Sequence, residues 1–300
     1  MNLLITGAWQ DAKQHFDSLR EMGHQIQFQQ FEKDPLTVDE EWIEGIICNG
    51  FFQCHDIHRF KHLKYIQLTS AGYDRVPMDY IEDHQIEIHN AGGVYSIPMA
   101  EWAVMNLLNL IKNTYSFFEN QKAMIWEKDR TLGELTDKRI CIVGYGNVGK
   151  EIAKRLSPFG VEITSANRSP VFSEYVERWI PLDHIDQILP EMDAVILCLA
   201  LTEETQGFFN KQRIAKMKDQ SVLINVSRGK LLDEQALLHS LYDKKLKGAA
   251  LDVFEEEPLS CESLLWKAPG IIITPHNSFI GDQVQKRMNG LIEMNLNRTR

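Results

Sequence analysis

Three segments in the second half of the chain end apolar, β-branched runs with polar side chains: Asn225-Val226-Ser227-Arg228-Gly229, Leu251-Asp252-Val253-Phe254-Glu255-Glu256-Glu257-Pro258 and Ile273-Thr274-Pro275-His276-Asn277. A cation, a run of acids and a histidine at strand ends on one sheet edge suit proton-coupled chemistry at a carbonyl. Arg228 can hold an acid group and polarise an oxygen, and His276 can deliver a proton. A carboxylate from Glu255–Glu257 can keep that histidine protonated. Singly, each has a plainer explanation. His276 is one of ten histidines, Arg228 could sit in a surface loop, and the acids could form a solvated run. Their joint placement is what points to a site.

The element that must organise such a site lies upstream. Arg139 to Val143 reads as a buried strand, and Gly144, Gly146 and Gly149 follow it as G-x-G-x-x-G. Val148, Ile152, Ala153 and Leu156 then recur at helical spacing until Ser157-Pro158, where the helix is predicted to stop. The first glycine allows the turn, the second lets backbone approach a pyrophosphate, and the third lets helix and strand pack closely. The helix start offers free N–H groups and partial positive charge. A strand, this loop and a helix together predict a dinucleotide site, with Tyr145, Asn147 and Val148 among its contacts. The second strand of the unit, Glu162 to Ala166, runs into Asn167-Arg168-Ser169. An acid there would hold the ribose hydroxyls of NAD. Arg168 offers a fork to a 2′-phosphate instead, with Asn167 and Ser169 as neutral donors, so NADP is expected in preference to NAD.

The remaining pattern is α/β. Strands are predicted at Leu3–Ile5, Gln25–Phe28, Gly45–Cys48, Tyr65–Leu68 and Ile86–His89, with a helix at Asp11–Met22. Beyond the glycine unit come strands at Glu177–Ile180, Ala194–Leu199, Ser221–Val226, Gly248–Val253 and Ile271–Thr274. Helices are predicted at Lys211–Met217, Asp233–Asp243 and Gln283–Arg298. Alternation of this kind builds doubly wound, mainly parallel sheets, which bind ligands at the carboxyl ends of their strands. Ser70-Ala71-Gly72-Tyr73-Asp74 and Asn90-Ala91-Gly92-Gly93-Val94 follow two of these strands, and their small residues expose N–H groups that suit a carboxylate. Ser96 is predicted to cap a mostly apolar helix through Ile111, buried between domains. The polar, aromatic stretch from Asn113 to Leu135, with Trp126, is predicted to run over the surface or onto a neighbouring subunit.

The 300 residues allow two domains, and a 44% hydrophobic share with 25% charged residues is that of a globular chain. A net charge of −10 argues against nucleic acid or anionic membrane as partners. No apolar run approaches a membrane span, and Met1-Asn2-Leu3-Leu4-Ile5 lacks the basic start of a signal peptide. Cys48, Cys54, Cys141, Cys198 and Cys261 are odd in number and scattered, which predicts free thiols, no metal site and a cytoplasmic protein.

These motifs, in this order and spacing, resemble the D-isomer-specific 2-hydroxyacid dehydrogenases over nearly the whole chain. The resemblance implies a Rossmann dinucleotide domain, residues 97–280, inserted in a flavodoxin-like substrate domain, residues 1–96 plus 281–300, with the active site in the cleft. It implies Arg228 as substrate-binding arginine, Glu257 as partner of the catalytic histidine and His276 as general acid/base. Ala71 and Gly72 would supply backbone donors to the substrate carboxylate. Leu199, Ala200, Thr205, Val226, Ser227 and Asp252 would join the cofactor contacts, Asp252 beside the nicotinamide carboxamide, and the protein would be a homodimer. Two positions depart from the pattern: Ala200 stands where the family often has proline, and Phe279 brings a ring where small residues are usual. The expected activity is reduction of a small 2-oxo acid, such as glyoxylate or hydroxypyruvate, to the D-2-hydroxy acid. A phosphoglycerate dehydrogenase-like oxidation, with Arg75 near a phosphate, and a non-catalytic dinucleotide-sensing binder are the alternatives.

Overall fold

The computed structural model describes residues 1–298, which divide into two compact units. The first comprises Met1–Tyr95 and the segment from Gly281, the second Ser96–Ile280. Residues 299 and 300 of the expected substrate domain lie outside the described residues.

The first unit carries a five-stranded parallel sheet. It is made of β1 (Asn2–Thr6), β2 (Gln25–Gln29), β3 (Gly45–Cys48), β4 (Tyr65–Leu68) and β5 (Glu87–His89), in the order β2-β1-β3-β4-β5. Helix α1 (Phe16–Glu21) leads into β2, preceded by a 3₁₀ turn over Ala12–His15 where one longer helix was expected. Helix α2 (Met78–Asp83) precedes β5. Strand order reverses between β1 and β3, the crevice at which open sheets of this kind take ligands. Alternating side chains feed two cores: Leu3, Ile5 and Ile47 face one side, and Leu4, Ile46 and Cys48 the other.

The second unit opens with α3 (Ser96–Ile111). The helix begins on Ser96 itself, which is buried in its first turn rather than capping it from outside. Ten of its residues are buried, and within its own unit it packs on the helix Asn147–Leu156 and on the strands Val222–Asn225 and Gly248–Leu251. Helix α4 (Thr114–Lys122) follows, with no buried residue, and Trp126 beyond it is 98% exposed. The sheet comprises β6 (Arg139–Val143), β7 (Glu162–Asn167), β8 (Arg178–Pro181), β9 (Ala194–Leu197), β10 (Val222–Asn225), β11 (Gly248–Leu251) and β12 (Ile271–Ile273). All pair in parallel, in the order β12-β11-β10-β9-β6-β7-β8. The order reverses between β6 and β9.

Helix α5 (Asn147–Leu156) follows β6. The α-helix ends at Leu156, directly before Ser157-Pro158 as expected, and a 3₁₀ turn over Ser157–Phe159 carries the chain on to Gly160, at φ 68°. Proline is tolerated in that turn because early positions need no N–H donor. Helices α6 (Lys211–Lys216) and α7 (Glu234–Tyr242) start behind Asn210 and Asp233, whose side chains accept N–H groups of the first turn. Ile140 and Ile142 face one core of this sheet, Cys141 and Val143 the other. Each such side chain contributes roughly 1.5–3 kcal/mol by burial.

The last helix, α8 (Val284–Arg298), returns to the first unit. There it buries Met288, Ile292 and Leu296 beside Leu3, Ile5 and Trp9. Asn289 accepts from Trp9 Nε1 at 2.7 Å, and Arg287 Nε donates to the Val94 carbonyl at 2.8 Å. Among the described residues no helix is long and apolar enough to cross a membrane, and no group of His, Cys, Asp or Glu is placed to hold a metal ion.

Candidate active site

The carboxyl edge of the second sheet gathers most of the predicted residues. At the switch point between β6 and β9, Gly144 turns at φ 97°, and a Cβ there would stand 2.9 Å from the Cys198 carbonyl carbon. Gly149 would set one 2.3 Å from the Gly144 oxygen, so both are demanded by packing. Gly146 is different. A Cβ there meets no protein atom within 4 Å, so folding does not require this glycine. It precedes the first turn of α5, whose N–H groups carry no side-chain cap. Open space over a bare helix start, at the reversal of strand order, fits the pyrophosphate of a dinucleotide. Asn167 braces this turn: its Oδ1 accepts the Tyr145 N–H at 3.2 Å while its Nδ2 donates to the Ser169 carbonyl at 3.0 Å. Tyr145 is buried, its hydroxyl donating to Ser173 at 2.7 Å. Asn147 is exposed and Val148 half-buried at the same helix start.

His276, Glu257 and Arg228 stand on the loops after β12, β11 and β10. His276 Nδ1 lies 2.8 Å from Glu257 Oε2, and the other oxygen of Glu257 accepts the Phe254 N–H at 3.0 Å. With Nδ1 taken, Nε2 is the ring atom left to give or receive a proton. The histidine sits at φ 51°, in the left-handed region, and its N–H donates to the Asp252 carbonyl at 2.7 Å. A non-glycine residue held there costs free energy that the surrounding bonds offset, a feature that clusters at functional sites. Phe279 meets the imidazole edge-on, with centroids 6.0 Å apart. Arg228 is partly buried. Its Nη1 donates to the Ser227 carbonyl at 2.8 Å, and its own carbonyl accepts Asn225 Nδ2 at 3.0 Å.

Several residues expected to touch cofactor have their side chains turned inward. Asp252 is fully buried. Its carboxylate accepts the N–H groups of Asn277 at 2.7 Å and Ser278 at 2.9 Å and the hydroxyl of Thr274, fastening the loop that carries His276. In this arrangement its carboxylate holds the loop of the histidine in place. The Ser227 hydroxyl donates to the Leu199 carbonyl, joining the loops after β10 and β9. The buried Thr205 donates its hydroxyl to the Ala200 carbonyl at 2.8 Å and accepts the Thr202 N–H at 2.8 Å. Val226 and Leu199 are buried. Arg168 and Ser169 are exposed as expected, but Arg168 is not alone: its Nη2 lies 2.7 Å from Glu204 Oε2.

Three residues that sequence reasoning passed over shape the site. Gly229 packs so closely on the next loop that a Cβ would fall 1.8 Å from the Phe254 carbonyl carbon. Glu234, at the start of α7, accepts the Glu255 N–H at 2.6 Å. Burial, together with the charges of Glu255 and Glu257, holds its carboxyl above the usual range. Glu204 is the third. Only the glycine directly after Arg228 carried a signal in the sequence; the two acids look like ordinary surface residues there.

Ala71 and Gly72 lie in the first unit, after β4. The carbonyls of Ser70, Ala71 and Gly72 accept from Ala91 N–H, Asn90 Nδ2 and Ser70 Oγ at 2.8, 2.6 and 3.0 Å. Among the described residues no acceptor takes the N–H of Ala71 or Gly72. Arg75, further along this loop, donates to Asn49 Oδ1 at 2.8 Å.

Residues 104–278 match the family described as D-isomer specific 2-hydroxyacid dehydrogenase, NAD binding domain. The hydroxypyruvate reductase of Thermotoga maritima is 31% identical over 76% of this chain and 74% of its own. The glyoxylate reductase of Pyrococcus furiosus is 31% identical over 78% of this chain and 72% of its own. Among solved structures, a D-isomer specific 2-hydroxyacid dehydrogenase from Xanthobacter autotrophicus, in complex with NADPH and MES, superposes with a TM-score of 0.83. It is 25% identical, and the match covers 99% of this chain and 94% of the other.

Proposed function

Because this chain belongs to the D-isomer specific 2-hydroxyacid dehydrogenases, oxidoreductases that act on CH–OH donors with a nicotinamide cofactor, we propose that it reduces a small 2-oxo acid to the D-2-hydroxy acid, using NADPH in preference to NADH. Glyoxylate and hydroxypyruvate are the first substrates to test, and Phe279, edge-on to the imidazole, limits the room beside the reacting carbon. The observation that carries the reading is the His276–Glu257 pair at 2.8 Å, held on the loops after β12 and β11, the latter next in the sheet to the strand that leads to Arg228.

When bound, the reduced nicotinamide supplies the hydride; its pyrophosphate is assigned to Gly144–Gly149 and its 2′-phosphate to Arg168. The chain's own groups do the rest. Arg228 pairs with the substrate acid and polarises the carbonyl oxygen. His276, oriented through Nδ1, gives the proton on Nε2 to that oxygen, and Glu257 stabilises the charged ring before transfer. The N–H groups of Ala71 and Gly72 are offered as carboxylate donors in the first unit, which on this reading is the substrate domain. Tyr115, Phe118, Met124, Ile125 and Trp126 leave apolar surface around and beyond α4, which supports a homodimer through the dinucleotide domain. The cytoplasm is the proposed compartment.

The test is loss of NADPH absorbance against a panel of 2-oxo acids, with wild type and His276→Gln side by side. Removing a general acid costs about 10²–10⁴ in rate. The variant is therefore expected to lose at least a hundredfold in kcat while binding NADPH with unchanged Kd. Wild-type turnover by the variant, or no turnover of any 2-oxo acid by the wild type, refutes the proposal.

A further inference from the structure

Nucleotide choice turns on more than the residue after β7. Arg168 and Glu204 come from loops on opposite sides of β6, and both loops are pinned. Asn167 bonds Ser169 on one side, and the Thr202–Thr205 hydroxyl knot fixes the turn on the other. The two charged ends meet at 2.7 Å in the open, Glu204 being 80% exposed. They border a cavity of about 500 Å³ that also touches Asp183 and Arg213. Arg213 is already engaged elsewhere. Its Nε bonds Asp186 at 2.9 Å, it donates to the Phe208 carbonyl, and its guanidinium stacks 3.9 Å from the Phe208 ring. The charged side chains lining the cavity, Arg168 and Arg213 against Asp183 and Glu204, therefore cancel. A dianion entering here gains no net attraction while Glu204 keeps its place.

We propose that Glu204 is a specificity-determining residue for the cofactor: an exchangeable counter-ion of Arg168 that tempers the preference for NADPH. It supplies from the loop after β9 the acid that is missing at the end of β7. With a 2′-hydroxyl present, Glu204 accepts its hydrogen and Arg168 stays paired. With a 2′-phosphate present, Arg168 turns to the phosphate and Glu204 is left facing a dianion. The protein then takes both nucleotides, with a modest bias. This inference rests on the assignment of Arg168 to the 2′-phosphate.

A dianion and a carboxylate roughly 5 Å apart in water-like surroundings repel enough to shift an equilibrium about fivefold after screening. The measurement is calorimetric binding of adenosine 2′,5′-bisphosphate and of AMP, which needs no turnover, to wild type, Glu204→Gln, Arg168→Gln and the double variant. Glu204→Gln is expected to tighten the bisphosphate about fivefold and weaken AMP two- to threefold. Arg168→Gln should bring the two ligands to nearly equal affinity, and in the double variant the gain from Glu204→Gln should persist, because Glu204 repels the 2′-phosphate with or without Arg168. NADPH and NADH kcat/KM should follow the same ratios. If Glu204→Gln leaves the bisphosphate-to-AMP ratio within twofold while Arg168→Gln lowers it, Glu204 has no such role and the Arg168 assignment survives. If Arg168→Gln also leaves the ratio unchanged, the assignment itself fails and this proposal with it.

Discussion

Replacing Gly229 with alanine is the sharpest test of how the catalytic loops are held. The new Cβ would lie 1.8 Å from the Phe254 carbonyl carbon, 2.0 Å from its oxygen and 2.2 Å from the Glu255 nitrogen. Ordinary carbon contact begins near 3.4 Å, so the two loops must part by at least about 1.6 Å. Everything struck is backbone, and no side chain can rotate to relieve it. The loop that moves carries Glu257 and is tied to Glu234 through the Glu255 N–H, while Arg228 is the next residue on the other loop. A misplacement of about 1 Å among reacting groups costs about 10²-fold in rate, and overpacking of this kind costs typically 1–3 kcal/mol. Gly229→Ala is therefore expected to lower kcat/KM for the 2-oxo acid at least a hundredfold. NADPH Kd should change less than threefold, because the loop at Gly146 is untouched. Steady-state kinetics, nucleotide fluorescence titration and a urea melt separate the three quantities. Wild-type kcat/KM in a folded variant would show that the contact between these loops does not position the histidine.

Gly146→Ala makes the opposite expectation: with no protein atom within 4 Å of the added carbon, the urea midpoint should hold while NADPH Kd rises at least tenfold, and tight binding by the variant would place the pyrophosphate elsewhere. Glu234 carries the pH dependence. Its folded-state carboxyl is raised, so between the unfolded value near 4.3 and that higher value the native state binds more protons, and stability falls as pH rises through this window. Glu234→Gln, which still accepts the Glu255 N–H, should thus stabilise the protein at pH 7.5 and not at pH 3.5. The gain should stay under about 1 kcal/mol because the side chain is half exposed and screened. Equal urea midpoint shifts at the two pH values would refute the sign.

Much of this architecture was legible in the sequence because the strands are short β-branched runs whose alternation feeds two cores. Gly45–Cys48, Tyr65–Leu68 and Arg139–Val143 end where they were expected to end, and the other strands differ by one or two residues. Helix α4 was not legible: Thr114–Lys122 buries nothing, so no apolar stripe marks it. At the site, residue types were readable and orientations were not. Asp252, Ser227 and Thr205 occupy the loops assigned to them, yet all three turn their polar atoms into the protein, where Asp252 and Ser227 fasten one loop to another and Thr205 fixes its own turn. Whether an aspartate at a strand end faces ligand or backbone depends on which N–H groups the following loop brings within reach, here those of Asn277 and Ser278. The Arg168–Glu204 pair spans 36 residues of sequence and has no local signature.

The placement of α8 has a consequence for how the molecule is made. Residues Met1–Tyr95 leave the ribosome before α8, but Trp9, Leu3 and Ile5 need Met288, Ile292 and Leu296 to close their core, and Gln67 waits for Asn295 at 2.8 Å. The interposed unit, Ser96–Ile280, has its whole sheet within one continuous span and can reach its native packing earlier. The core of the first unit therefore stays open until α8 joins it. A nonsense codon within α8 would release a chain that keeps the nucleotide-binding unit but cannot close that core.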